Sequence, residues 1–206
     1  MSAFITLEGP EGGGKSTQAH RLADHLQSEG HDVLFTREPG GTEIGDQIRR
    51  VIMSLENKTM SPEAEFLLFS ASRAQVVREL IQPHLERGGL VVCDRFYDSS
   101  LAYQGYGHEL DLELLRTITG FVTGGLAPDL TLLLDLTSEL GLERRKHDGR
   151  WNRLDDYDLD FHERVREGYL RLADLDPDRW VRIDAAQTED QIQEQLREVV
   201  MERLSE

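Results

Sequence analysis

Residues 9–17 read GPEGGGKST. Gly9, Gly14, Lys15 and Ser16 fill the fixed positions of G-x-x-x-x-G-K-[ST], with Pro10, Glu11, Gly12 and Gly13 between them and Thr17 following. Such a loop works only between a strand and a helix. Its glycines let backbone N–H groups turn inward onto an anion, and the positive end of the next helix adds to the same site. Both flanks are present. AFITLE ahead of the loop is a short β-type run. Behind it Ala19, Leu22, Ala23 and Leu26 recur at spacings of three and four, predicting a helix from Lys15 to about Glu29 that Gly30 ends. The chain therefore opens with a strand–loop–helix unit that cradles a nucleoside triphosphate, Lys15 reaching the β- and γ-phosphates and the Ser16 hydroxyl meeting Mg²⁺. The loop contains an acid, Glu11, but no arginine. It names neither the cation that meets the charge developing in phosphoryl transfer nor the group that accepts the phosphate.

The remaining chain keeps alternating. DVLFTREPGGT reads as a second strand and a turn-rich loop, and a helical pattern follows over about residues 44–55. SPEAEFLLF opens a long helix with Ser61 as N-cap and Pro62 at the first position, running to about Glu86 with a bend near Pro83. GGLVVCDR is a third strand, apolar throughout as a buried parallel strand is. Two helices fit between Ser99 and Gly124. DLTLLLDL, RWVRIDA and the helical stretches around them complete five strands. The expected fold is an α/β P-loop kinase fold: a five-stranded parallel sheet, helices on both faces, and a basic lid over about 143–155. All 206 residues belong to one domain in this reading, since no repeat, linker or composition shift divides them.

The formal charge is −16. An acidic surface argues against binding nucleic acid or membranes, and it obliges any phosphate site to be locally basic. Cys93 is the single cysteine. It sits in LVVCD, where a buried structural thiol is expected, and neither a disulfide nor a metal cluster can be built from it. No N-terminal basic-then-apolar leader is evident, and no apolar run approaches the length of a membrane span, so a cytoplasmic location is expected.

Asp94 and Arg95 end the third strand. Strand ends of parallel sheets face the ligand crevice, so Asp94 can hold Mg²⁺ or its water and Arg95 can lie between donor and acceptor phosphates. Phe69 and Arg73 stand four residues apart on one helix face, where a ring and a guanidinium can stack on a base and bond its edge. A regulatory GTPase is disfavoured, because the only Asn-Lys pair, at Asn57, lacks the aspartate of N-K-x-D.

EGPEGGGKST, TREPGGT, LLFSASRAQ, DRFYDSSLAYQG and PDLTLLLD, in this order, resemble the thymidylate kinase family over nearly the whole chain. The resemblance implies ATP-dependent phosphorylation of dTMP to dTDP, with Mg²⁺, by a homodimer. It implies that Phe69 stacks on thymine, that Arg73 bonds a base carbonyl, and that Ser100 meets the N3 edge. Tyr103 would crowd a ribose 2′-OH, Gln104 would complete the base pocket, and Arg37 and Arg95 would face the acceptor phosphate. Glu11 would stand near the sugar 3′-OH and the metal. Two positions depart from the pattern: Phe96 replaces the usual Tyr or His, and the lid reads Asn152-Arg153-Leu154-Asp155 in place of Asp-Arg-x-Glu.

The basic run RRKHDGRWNR stands out in so acidic a chain. The resemblance implies that lid arginines take over where the phosphate loop lacks one, Arg153 first, with Arg144 and Arg150 beside it on the nucleotide. Two other readings remain. A deoxynucleoside kinase would need a carboxylate base, and Glu38 could serve; an inactive nucleotide-binding regulator would bind ATP without turnover. The face around Ala71, Ala74, Val77 and Ile81 fits either a core or a dimer interface.

Overall fold

The computed structural model describes residues 2–147, 149 and 151–205. Its framework is a five-stranded parallel sheet of β1 (Ala3–Glu8), β2 (Val33–Arg37), β3 (Leu90–Asp94), β4 (Leu130–Asp135) and β5 (Trp180–Asp184), in the order β2-β3-β1-β4-β5. β1 carries the glycine loop and β3 carries the Asp-Arg pair, and these two strands are neighbours. Their register sets Leu7 opposite Asp94, so the chain leaves the sheet at Glu8 and Arg95 side by side.

Strand periodicity decides what each side of the sheet holds. Ile5 and Leu7 turn to the face covered by α1 (Lys15–Ser28) and α9 (Glu189–Arg203), packing with Leu22, Leu26, Leu196 and Val200. Phe4 turns to the opposite face, where it meets Val76, Val77, Ile81 and Phe96. Thr6 and Glu8 follow Phe4 at the same period, so a polar strand end is buried on that face. α2 (Glu43–Met53), with Thr42 capping its first turn, lies along α3 (Pro62–Val76), which Ser61 caps.

The long helix expected to bend at Pro83 breaks one turn earlier. Residues Val77–Ile81 are π-helical, and α4 (Gln82–Glu86) resumes with Pro83 in its first turn. Proline has no N–H for the carbonyl four residues back, and its ring crowds that carbonyl, so the preceding turn widens. Val77 and Ile81 are wholly buried in the core, whereas Ala71 on the same face is exposed and Ala74 half-buried. A second π-helical stretch, Leu101–Gly107, follows the short helix α5 (Tyr97–Ser100) and leads to α6 (Leu112–Thr123).

Over the far half of the sheet lie α7 (Ser138–His147) and α8 (Leu159–Leu175), joined by the lid segment with its single 3₁₀ turn, Leu154–Asp156. α7 touches the glycine loop directly. Gly12 has φ +72°, and a Cβ there would overlap the Gly141 carbonyl oxygen. A Cβ on Gly141 would overlap the Glu11 carbonyl oxygen in turn. The two backbones meet where neither can carry a side chain.

Gly141→Ala therefore separates two opposed effects. Helix propensity alone would stabilise α7 by about 1 kcal/mol, whereas the overlap forces the glycine loop away from the helix. The expected outcome is a lower thermal midpoint and at least tenfold weaker nucleotide binding by titration calorimetry; a more stable variant with unchanged affinity would show that the contact is slack.

Candidate active site

Lys15 begins α1 at the rim of the sheet, and its ammonium folds back to donate to the Pro10 carbonyl at 2.5 Å. Ser16 Oγ donates to Asp94 Oδ2. The hydroxyl expected to meet a metal and the carboxylate at the end of β3 thus converge. Burial, and then the nearby Arg95 charge, lower Lys15 to about 8.

Arg95 is the centre of the site. It has φ +69°, unusual for a residue with a side chain, and its N–H donates to Leu7 O at 3.0 Å. One nitrogen, Nη1, donates to Gly9 O (3.1 Å), Ser99 Oγ (3.1 Å) and Tyr169 OH (2.9 Å). The other, Nη2, donates to Glu11 Oε1 at 2.9 Å and Tyr103 OH at 3.3 Å. Tyr103 also donates to Glu11 Oε1 at 2.7 Å. Burial alone would raise Glu11, but Arg95, Lys15 and the Tyr103 hydrogen bond outweigh it and hold the carboxyl at about 2. Glu11 is therefore an anion fixed between a guanidinium and a phenol.

The residues expected to form the base pocket are buried. Arg73 is wholly buried; Nε donates to Glu38 Oε2 at 2.7 Å, and Nη2 to Phe96 O (3.3 Å) and Ser100 Oγ (3.1 Å). Its Nη1 is buried without a hydrogen-bond partner. Gln104 donates from Nε2 to Glu65 Oε1 at 2.6 Å, while its Oε1 is likewise buried and unpartnered. Orphaned buried polar atoms are costly unless a ligand completes them. Phe69 shares a cluster with Ile52 and Leu154, so a lid residue lies against the ring expected to stack on a base.

The lid arginines divide. Arg144 Nη1 donates to Ala185 O at 2.9 Å and to Gly12 O at 3.4 Å, which brings it to the glycine loop. Arg145 makes a two-pronged bond to Asp155, at 3.0 and 2.8 Å, and its charge reaches Glu11. Arg153, expected to stand foremost at the transferred phosphate, is placed elsewhere. Its Nε donates to Ile52 O (2.8 Å), Nη1 to Tyr157 OH (2.8 Å) and Nη2 to Glu65 Oε2 (2.5 Å), so in this structure it fastens the lid to α2 and α3. The reason is Glu65, a carboxylate with no exposure whose charge requires a buried cation. Arg150 lies outside the described residues. Arg37 is half exposed and pairs with Asp46 at 3.3 Å.

Sequence reasoning missed Arg49. Burial and the charges of Arg37 and Arg95 lower its pKa, while Asp94 opposes them, so it stands among the cations facing the strand ends. Gly45, Arg49 and Ile52 recur at helical spacing on the inward face of α2, and a cation on a buried stripe is a readable signal. Glu8, Ser99 and Tyr169 were missed as well. No spacing rule joins three residues that lie far apart in the chain.

Glu8 and Glu38 are both pushed up to about 7, chiefly by burial; Asp98 adds to the effect at Glu8, and Arg73 opposes it at Glu38. The folded chain then keeps protons that the unfolded chain loses above the ordinary value of 4.5. Stability falls as pH rises through that window. Burial lowers His162, which acts in the opposite sense, but it is one group against two. The thermal midpoint, measured at constant ionic strength, is expected to fall between about pH 5.5 and about pH 7.5; a rise would mean that both carboxyls titrate normally.

A glycine loop capping the first helix of a parallel sheet, with an Asp-Arg strand end beside it, defines a P-loop kinase fold. A family model described as thymidylate kinase matches residues 7–196. The thymidylate kinase of Deinococcus radiodurans is 54% identical over 200 residues, covering 97% of both chains. That of Roseiflexus castenholzii is 52% identical, covering 97% of this chain and 93% of the relative. The crystal structure of thymidylate kinase from Ehrlichia chaffeensis superposes with a TM-score of 0.79 at 31% identity, covering 97% of this chain and 98% of that one. The chain belongs to the thymidylate kinase family.

Proposed function

We propose that the chain transfers the γ-phosphoryl group of ATP to dTMP, yielding dTDP and ADP for the supply of dTTP. The observation that carries this reading is the unpartnered Arg73 Nη1 on a guanidinium that also bonds Ser100 Oγ, close in the chain to Arg95, which reaches the glycine loop at Gly9. A donor held without an acceptor suits a base carbonyl, and Arg95 suits the acceptor phosphate. Arg37 and Arg49 add positive charge there, as the acidic chain requires.

The residues present suit a triphosphate with magnesium. The glycine loop and α1 offer backbone N–H groups and Lys15. Ser16 and Asp94 converge, and Mg²⁺ is commonly held by one or two protein ligands with waters and phosphates completing its shell. When bound, Mg²⁺ neutralises charge on the phosphates. A dTMP phosphate oxygen attacks the γ-phosphorus in line as the bond to the bridging oxygen breaks. The nucleophile is already an anion, so no strong base is needed. Lys15 and Arg95 stabilise the transferred group. Arg144 and Arg145 supply the cation that the loop lacks, while Arg153 anchors the lid, whose closure excludes water. Tyr103, tied to Glu11, faces the sugar.

A deoxynucleoside kinase is less well supported: Glu38, its candidate base, already accepts from the buried Arg73. A coupled assay with dTMP, dUMP, dCMP and thymidine is expected to give turnover on dTMP and none on thymidine. Lys15→Ala and Arg95→Ala should each lower kcat about 100-fold or more with folding retained, whereas Arg73→Ala should chiefly raise the KM for dTMP. Near-normal turnover of the first two would remove their assigned roles.

The chain acts as one unit of 206 residues with a lid over about 143–155, in the cytoplasm, as a homodimer. Among the described residues no helix is long and apolar enough to cross a membrane. Leu114 and Phe121 lie seven residues apart on one face of α6 and are 57% and 85% exposed, beside an exposed Leu67 on α3. Phe121→Asp should convert a dimer to a monomer in sedimentation; an unchanged mass would move the interface elsewhere.

A further inference from the structure

Glu8 ends β1, just ahead of the glycine loop, and is wholly buried. Its Oε1 accepts from the backbone N–H groups of Phe96 (2.7 Å) and Ser99 (3.3 Å). Its Oε2 accepts from Ser99 Oγ at 2.6 Å and Tyr169 OH at 3.0 Å. The same two hydroxyls accept from Arg95 Nη1, at 3.1 and 2.9 Å, and lie 2.8 Å from each other.

With Glu8 ionised, the geometry favours one arrangement of the protons. A guanidinium has only protons to offer, and a carboxylate has only lone pairs. Both hydroxyls point at Oε2, and a hydroxyl that donates to the acid has only lone pairs left for the arginine. We propose that Glu8 is a positioning residue for Arg95: by taking the protons of Ser99 and Tyr169, it turns the lone pairs of both hydroxyls onto Nη1 and so fixes the plane in which the guanidinium meets the phosphate. The inference rests on the phosphoryl transfer proposed above.

The relay also explains why the acid stands one hydroxyl away. Glu11 already pairs with Nη2 at 2.9 Å, so a second carboxylate bonded directly to Nη1 would set two anions against one cation. Neutral acceptors (Gly9 O, Ser99 Oγ, Tyr169 OH) hold that nitrogen without doing so, and among the described residues Glu8 forms no ion pair with Arg95. The backbone of Arg95 is in the left-handed region, so its side chain enters the site from an uncommon angle and has to be held from its tip.

Glu8→Gln keeps the shape but introduces a donor, which turns one hydroxyl proton toward Arg95. With dTMP and ATP, this variant should lose about 30-fold in kcat with the KM for ATP changed less than about threefold. The decisive measurement is a double-mutant cycle with Arg95→Lys, which lacks the fork. A group acting through Arg95 has little left to lose in that background, whereas a structural group costs the same in both. Coupling of fivefold or more upholds the inference and smaller coupling overturns it. Circular dichroism and thermal melts accompany each variant, and if Glu8→Gln does not fold, Tyr169→Phe takes its place in the same cycle under the same criterion. A parent enzyme without dTMP turnover would overturn the functional reading and this inference with it. A parent that turns over dTMP with coupling below fivefold would overturn the inference alone.

Discussion

Four parts of the chain reach the guanidinium of Arg95: the glycine loop at Gly9 and Glu11, α5 at Ser99, the π-helical turn at Tyr103, and α8 at Tyr169. A planar cation with several donors in fixed directions can satisfy so many acceptors only if each arrives at a set angle. The arrangement of the elements over this half of the sheet can be read from that requirement. β1 and β3 must be adjacent for Gly9 and Arg95 to meet. α8 must cross the Phe4–Glu8 face for Tyr169 to reach under them. The turn after α5 must bring Tyr103 over Glu11.

Charge is organised in the same manner across the molecule. Buried or half-buried acids recur in the fold, and each has a cation: Glu11 with Arg95, Glu38 with Arg73, Glu65 with Arg153, Asp98 with Arg179. Removing one partner of such a pair strands a buried charge, which costs about 3–5 kcal/mol. The site therefore withstands shape-conserving changes better than the loss of charge. Chain acidity, unpromising for a phosphate-binding protein, lies largely on the surface or in these pairs.

Much of the fold was legible because it rests on local pattern. The five strands are short apolar runs, α8 coincides with its periodic stretch, and Ser61-Pro62 marks the start of α3 as expected. The glycine loop and Asp94-Arg95 were legible for the same reason, since each is one continuous stretch. What escaped depends on contacts between distant segments. The π-helical turn before Pro83 needed the geometry of the widened turn. Arg153 was judged by its basic neighbours in the chain, but its partner is Glu65, 88 residues away. Glu8 read as the polar end of a strand until α8 supplied Tyr169, 161 residues on.

The contact of Gly12 with Gly141 has a bearing on motion. With no side chain on either surface there is nothing compressible between the loop and the helix, and a displacement of one is passed to the other almost undiminished. The lid hangs from the far end of that helix. Gly141 stands only three residues before Arg144, so the loop bears on α7 within one turn of where the basic segment begins. Two glycines, each set against the other segment's carbonyl oxygen, join a nucleotide cradle to the helix that leads into the arm.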